Sequence, residues 1–136
     1  MFPPKPPKGA DPRMYFFLFL LTLGTTLGYQ GWTLLYTNFA VESAHLSAAD
    51  NGLVQSLREV PGLLGFLIIP LLLVMKEHRV AAVAALATGL GTALTGFFPS
   101  FVPVILTTLL MSFGFHFFEA VNQSLLLQYF DVRTTP

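Results

Sequence analysis

The sequence predicts an all-α membrane protein with four transmembrane helices. Of its 136 residues, 54% are hydrophobic and only 10% are charged, and the mean hydropathy is +0.67. A soluble domain usually carries about 25% charged residues, so this chain lacks the polar surface that such a domain presents to water. The other two observations are four apolar segments of helical length and the placement of Lys and Arg on alternate connections.

The four apolar segments follow a polar start. Residues 1–13 are rich in Pro and basic residues and predict a disordered cytoplasmic tail, followed by a four-helix domain at residues 14–136. The first span, residues 14–36, contains no formal charge. As a helix it would extend about 34 Å, enough for a hydrocarbon core of roughly 30 Å. The other spans are predicted at residues 51–75, 80–98 and 101–129.

Capping and proline residues mark the second helix. Ser47 and Asp50 have the spacing of a capping box, so the helix is predicted to begin just after Ser47. Pro61 and Pro70 remove backbone donors within it and favour kinks.

Basic residues predict the orientation. Outside the spans they occur only before the first span, between the second and third, and after the fourth: Lys5, Lys8, Arg13, Lys76, Arg79 and Arg133. The positive-inside rule therefore places both termini in the cytoplasm. We expect an integral protein of the bacterial inner (plasma) membrane, in direct contact with the lipid bilayer.

Glycines at helical spacing predict close helix packing. Gly24 and Gly28 form a G-x-x-x-G pattern in the first span, and Gly62 and Gly65 lie on one face of the second. Small residues at these intervals let helix backbones approach one another. We interpret them as packing residues rather than as a binding site.

Glu119 is the acid set deepest in an apolar segment. Residues 99–118 before it and 120–130 after it contain no Asp, Glu, Lys or Arg. An ionisable group at such depth costs roughly 2.5–3.5 kcal/mol on insertion scales, so it usually marks a pathway, a relay or a buried pair.

Polar residues extend from Glu119 along one side of the fourth span. The stripe, with Asn122 beside it, consists of Ser112, His116, Glu119 and Gln123. Such a face requires a protein interior or a wet cavity. One hypothesis is that Glu119 exchanges a proton during transport and that His116, one turn away, tunes it. A structural salt bridge with another helix is an equally weighted alternative.

A second polar group is predicted in the outer half of the bilayer. Arg58 and Glu59 are sequence neighbours that point about 100° apart, so an ideal helical pair is not expected. Ideal helix geometry places Tyr29 and Gln30 of the first span at a similar depth. We favour an interhelical clamp or outer gate over direct contact with a solute.

Several function classes are not supported. The absence of cysteine excludes disulfides and thiol chemistry. No two-His zinc motif, phosphate loop or basic, aromatic-interleaved patch is present. We therefore expect no enzyme activity, no metal or cofactor, and no nucleic-acid partner.

The layout resembles the first four helices of a major facilitator superfamily transporter. The similarity lies in the helix start at residues 46–53 and in residues 110–131, which include Gly114, Asn122, Gln123 and a final Gln-Tyr-Phe-Asp. The loop at residues 75–79 keeps the basic charge of that family's second-to-third loop but lacks its Gly and Asp. Thr108 and Ser112 stand where the family often has Arg and Gly.

The resemblance implies a secondary transporter of a small solute. Members of that family have twelve helices in two halves, so this chain is expected to be an N-terminal fragment whose partners are further transmembrane helices. A non-transporting scaffold or accessory subunit of a larger membrane complex is the alternative. A dimeric four-helix multidrug exporter is disfavoured because residues 14–36 contain no acid.

Overall fold

A computed structural model describes residues 11–130 of the chain. Its regular elements are all helices, so the predicted all-α class is confirmed for this part of the chain. The helices are α1 (Pro12–Asn38), α2 (Ala48–Leu63), α3 (Ile68–Val74), α4 (Glu77–Thr95) and α5 (Phe101–Tyr129). A π-helical turn, Phe39–Ser43, continues α1, and a 3-10 turn, Gly65–Leu67, joins α2 to α3.

Local sequence signals explain where the first two helices begin. The carboxylate of Asp11 accepts a hydrogen bond from the Arg13 backbone N–H at 2.9 Å, and Pro12 occupies the first helical position. The helix therefore begins inside the predicted tail, most of which lies outside the described residues. At α2, Ser47 and Asp50 form the predicted reciprocal capping box, and the helix begins at Ala48.

The second predicted span is broken rather than continuous. The axes of α2 and α3 are bent by 45° at the turn that joins them. Pro61 cannot donate the hydrogen bond that would continue the helical ladder, and Pro70 lies in the first turn of α3, where a missing N–H costs least. The two prolines thus favour a break between them instead of one helix to Met75.

The helices alternate in direction, with α5 at the centre. The Tyr15 and Phe130 rings meet edge to face at 5.8 Å, so the start of α1 and the end of α5 share one end of the bundle. We call this the terminal end and the opposite one the loop end. Helix α5 contacts α4, α2 and α1. It is antiparallel to α4, and the Thr95 hydroxyl donates to that of Thr107 at 2.9 Å.

Two apolar cores lie at different levels of the bundle. The core near the terminal end joins α1, α3, α4 and α5 through Tyr15, Leu18, Ile68, Val80, Ala81, Ala84, Phe118, Val121, Leu125 and Phe130. The core near the loop end joins α1, α2 and α5 through Trp32, Tyr36, Ala40, Val54, Val104 and Met111.

Glycines permit the closest helix approach, between α4 and α5. A Cβ added to Gly91 would lie 2.6 Å from the Met111 Cα, and one added to Gly114 would lie 2.5 Å from the carbonyl oxygen of Ala84. These atoms belong to backbone or are attached directly to it, so no side-chain rotation would relieve the overlap. The contact therefore depends on the absence of a side chain at both positions.

Fewer helices are long and apolar enough to cross a membrane than the sequence predicts. Within residues 11–130, α5 alone is long and apolar enough to cross a bilayer, with a mean hydropathy of 1.8. Helices α2 and α3 meet the same criterion only as one bent pair. Because α5 is also the central helix, its apolar character serves internal packing as well.

Candidate functional site

The polar stripe of the fourth span divides into two parts in the structure. Ser112 is buried, and its hydroxyl donates to the Arg58 carbonyl oxygen of α2. The half-buried His116 ring covers Gly62, where an added Cβ would lie 3.0 Å from its Cε1 atom. The other two members, Glu119 and Gln123, are exposed. The part of the stripe nearer the loop end therefore faces α2, and the remainder faces outward.

Glu119 lies apart from the other charged groups of the predicted site. Its side chain makes no ion pair or hydrogen bond within residues 11–130. Ser112 marks the level of Arg58 on α5, and Glu119 follows seven residues later, which is about 10 Å along a helix. The structure thus separates the predicted proton-exchanging acid from the predicted clamp.

Asn122 contacts α1 instead of extending the exposed stripe. The Thr22 hydroxyl donates to the Asn122 Oδ1 atom at 3.5 Å, at the weak limit for a hydrogen bond. Both residues line a cavity of about 290 Å³ between α1 and α5, whose other walls include Phe19 and Leu126. Thr22 was not singled out from the sequence.

Arg58 and Glu59 form an ion pair, which corrects the expectation from helical spacing. The Glu59 Oε1 atom lies 2.6 Å from the Arg58 Nη2 and 2.9 Å from its Nε. Their Cβ atoms point apart, but two long, flexible side chains can bend toward each other over the helix surface. Glu59 is 59% exposed, so its side chain has room to reach the guanidinium.

The first-span partner of Arg58 is an aromatic residue that sequence reasoning missed. The Arg58 guanidinium lies 5.4 Å from the centre of the Trp32 ring, within cation–π range. Trp32 in turn stacks on Tyr36 with ring centres 4.2 Å apart. The spacing Tyr29, Trp32, Tyr36 follows one helix face and was the signal that could have found this stack.

Tyr29 and Gln30 do not join the Arg58 cluster. The Tyr29 ring stacks on Phe115 of α5 at 3.8 Å, whereas Gln30 is exposed. Of the four residues predicted to share one depth, Arg58 and Glu59 therefore contact each other, whereas Tyr29 and Gln30 do not contact that pair.

Both rings of the aromatic stack carry a buried polar atom without a partner, and other residues do as well. Within the described part of the chain, no hydrogen bond is made by Trp32 Nε1, the Tyr36 hydroxyl, Asn51 Oδ1 or the Thr108 hydroxyl. Buried polar atoms ordinarily have a protein or water partner. Ordered water is the simplest group that would satisfy them.

A further polar cluster joins α4 to α5 near the terminal end. The Gln128 side chain donates from Nε2 to the Glu77 carboxylate at 2.7 Å, and the Ser124 hydroxyl donates to the same carboxylate at 3.3 Å. Glu77 is the first residue of α4, where a negative charge complements the helix dipole. Sequence reasoning noted Glu77 only as part of a basic loop and assigned it no partner.

The four predicted packing glycines differ in their surroundings. Gly28 faces α4, where the Thr92 hydroxyl donates to its carbonyl oxygen at 3.1 Å, and Gly62 faces His116. A Cβ at Gly24 or Gly65 would meet no atom within 4 Å. A side chain added at those two positions would therefore point into open space among the described residues.

Comparisons with known protein families, characterised proteins and solved structures find no match for this chain. Among residues 11–130, no group of three His, Cys, Asp or Glu residues is placed to hold a metal ion. The geometry described above is therefore the basis of the functional proposal.

Proposed function

We propose that this chain supplies four membrane-crossing helices of a secondary transporter for a small solute, with the layout of a major facilitator superfamily N-terminal half. The four spans would be α1, α2 with α3, α4 and α5. The outward-facing carboxylate of Glu119 carries the proposal, because it lies on α5, the one helix within residues 11–130 that is by itself long and apolar enough to cross a bilayer.

The surroundings of Glu119 support a path rather than a lipid-facing surface. Gln123, one turn further on, is exposed on the same side of α5. Lipid would leave both polar side chains unsatisfied, whereas a water-lined path or additional helices would provide hydrogen-bond partners. In this proposal Glu119 binds and releases a proton while solute moves, and His116 adjusts that exchange.

Arg58 has a separate role in the proposal. Its guanidinium is held by Glu59 and lies over Trp32, and its backbone carbonyl accepts from Ser112. These contacts join α1, α2 and α5 at one level. We infer that Arg58 clamps these helices together near the loop end, as expected for a gate.

A non-transporting scaffold is the second candidate. A Cβ added at Gly24 or Gly65 would meet no described atom within 4 Å, so a helix of another subunit could approach closely at these positions. The native transcript beyond Pro136 separates the two proposals. A reading frame that continues into about eight further apolar spans supports the transporter, whereas a stop codon there contradicts it and supports the scaffold.

An uptake assay tests whether this chain transports solute without further helices. We expect liposomes containing only the purified 136-residue chain to show no solute uptake, because four helices leave one wall of any path open to lipid. In the proposal, uptake from a panel of radiolabelled solutes appears only with a product that also carries the further spans. Robust uptake by monomers of this chain would contradict the proposal.

The orientation is tested by single cysteines in this cysteine-free chain. We expect Ser43→Cys and Thr134→Cys to react with a membrane-impermeant maleimide from opposite sides of the membrane, because basic residues flank alternate connections. Thr134 lies beyond the described residues, so the prediction for it depends on the charge distribution alone. Reaction of both from the same side would exclude this topology.

A further inference from the structure

A groove with a polar rim lies at the terminal end, between α1, α4 and α5. Its volume is about 440 Å³, and its walls include Arg13, Met14, Phe17, His78 and Tyr129. Neither the proton-exchange hypothesis nor the Arg58 clamp uses these residues.

The groove is amphipathic. Arg13, His78 and Tyr129 bring a guanidinium, an imidazole and a phenol hydroxyl, all of which can donate hydrogen bonds. Met14 and Phe17 are half-buried and give the same groove an apolar wall. A ligand that matches both parts has an oxygen-rich head and a hydrocarbon chain.

Two acids lie in or beside the groove, and each accepts hydrogen bonds from other groups. Asp11, which also lines it, accepts a hydrogen bond from the Arg13 backbone N–H at the start of α1. The Glu77 carboxylate accepts hydrogen bonds from α5. Within residues 11–130, no carboxylate lies within ion-pair distance of the Arg13 guanidinium, so the guanidinium can donate hydrogen bonds to a ligand.

Positive charge extends around this end of the molecule. Lys76 precedes α4 and Arg79 lies in its first turn, and both are exposed outside the groove. Basic residues beside a cytoplasmic membrane surface attract anionic lipids, and Tyr is enriched at the level of the headgroups. The basic residues at this end and the amphipathic groove therefore both favour an anionic lipid.

We propose that this groove binds an anionic phospholipid of the cytoplasmic leaflet. The Arg13 guanidinium, the His78 ring and the Tyr129 hydroxyl donate hydrogen bonds to the headgroup phosphate, and Met14 and Phe17 contact the upper acyl chain. This inference rests on the proposed membrane orientation, which places the terminal end at the cytoplasmic surface. The apolar wall distinguishes a lipid from free phosphate.

Binding of a short-chain lipid to the purified chain tests the inference. Dioctanoyl phosphatidylglycerol titrated against the 136-residue chain in detergent should bind more tightly than dioctanoyl phosphatidylcholine. The double variant Arg13→Gln, His78→Gln should weaken phosphatidylglycerol binding by about tenfold or more, because it removes the charged Arg13 donor and a hydrogen bond to a charged group contributes about that factor.

Arg79→Gln is the matched control. It removes one exposed positive charge from the same end but does not line the groove, and salt screens an exposed charge from a distant ligand, so the affinity should change by less than about twofold. An equal loss in Arg79→Gln and in the double variant would show diffuse attraction and overturn the proposal. Displacement by glycerol 3-phosphate at the same concentration as the lipid would instead identify a free-phosphate site and would also overturn it.

The result is separable from the test of orientation. An incorrect orientation would appear in the labelling of Ser43→Cys and Thr134→Cys, which does not depend on lipid affinity. Failure of the lipid proposal would appear as equal affinity of the wild-type chain and the double variant. Circular dichroism of each variant should match the wild type, because Arg13 is exposed and His78 is only half-buried.

Discussion

Gly91→Ala and Gly114→Ala are each expected to lower the free energy of unfolding by about 1–3 kcal/mol, as overpacking of a close contact does. The added methyl at Gly114 would lie 2.5 Å from both the Ala84 carbonyl oxygen and the Thr88 backbone nitrogen. Separation of α4 from α5 is the only relief, and it would also disturb the Thr95–Thr107 hydrogen bond.

Gly89→Ala is the control for this prediction. It changes the same kind of residue in the same helix as Gly91, but its added Cβ meets no atom within 4 Å. Alanine favours a helix over glycine by about 1 kcal/mol, so this variant should be as stable as the wild type or more stable. The free energies of unfolding of the three variants and the wild type can be compared by monitoring unfolding in detergent with circular dichroism. Equal loss in Gly89→Ala and Gly91→Ala would show that the contact has no special importance.

If the proposed transport function is right, Glu119→Gln in the protein that carries the further spans is expected to abolish the dependence of solute uptake on pH while the protein still folds. A carboxyl that binds and releases a proton during the cycle makes uptake pH-dependent, and an amide of nearly the same shape cannot exchange that proton. Folding should survive because Glu119 is exposed and makes no hydrogen bond or ion pair within residues 11–130.

Glu42→Gln is the matched carboxyl control. Glu42 is exposed in the π-helical turn after α1, at the loop end of the bundle, whereas Glu119 lies at the level of the core near the terminal end. Uptake by this variant should keep the wild-type pH profile in proteoliposomes at a series of external pH values. If Glu119→Gln also keeps it, Glu119 is a structural polar group, and the proton-exchange role is wrong.

Sequence reasoning worked best where the signal is local. The capping box at Ser47 places the start of α2 because both of its hydrogen bonds join residues only three positions apart. It worked less well for Arg58 and Glu59, where the angle between their Cβ atoms argued against a pair that the flexible side chains nevertheless form. Backbone geometry constrains where a long side chain starts, but not where its charged end lies.

The sequence predicted only part of the candidate site. The sequence drew attention to Glu119, His116 and Arg58 because polar groups in apolar segments are conspicuous along one helix. It did not find Trp32 or Gly91, because an aromatic residue or a glycine in a hydrophobic helix is ordinary until its neighbour is known.

Amino-acid order alone accounts for the helical class, the start of α2 and the positions of polar groups along each helix, because these depend on residues within one or two turns. The packing of the helices sets which of those groups face inward: Ser112 and His116 face α2, whereas Glu119 faces outward. Packing also brings α4 and α5 together at glycines. The rotation and separation of two helices depend on side chains far apart in the chain, which no periodicity within a single helix encodes.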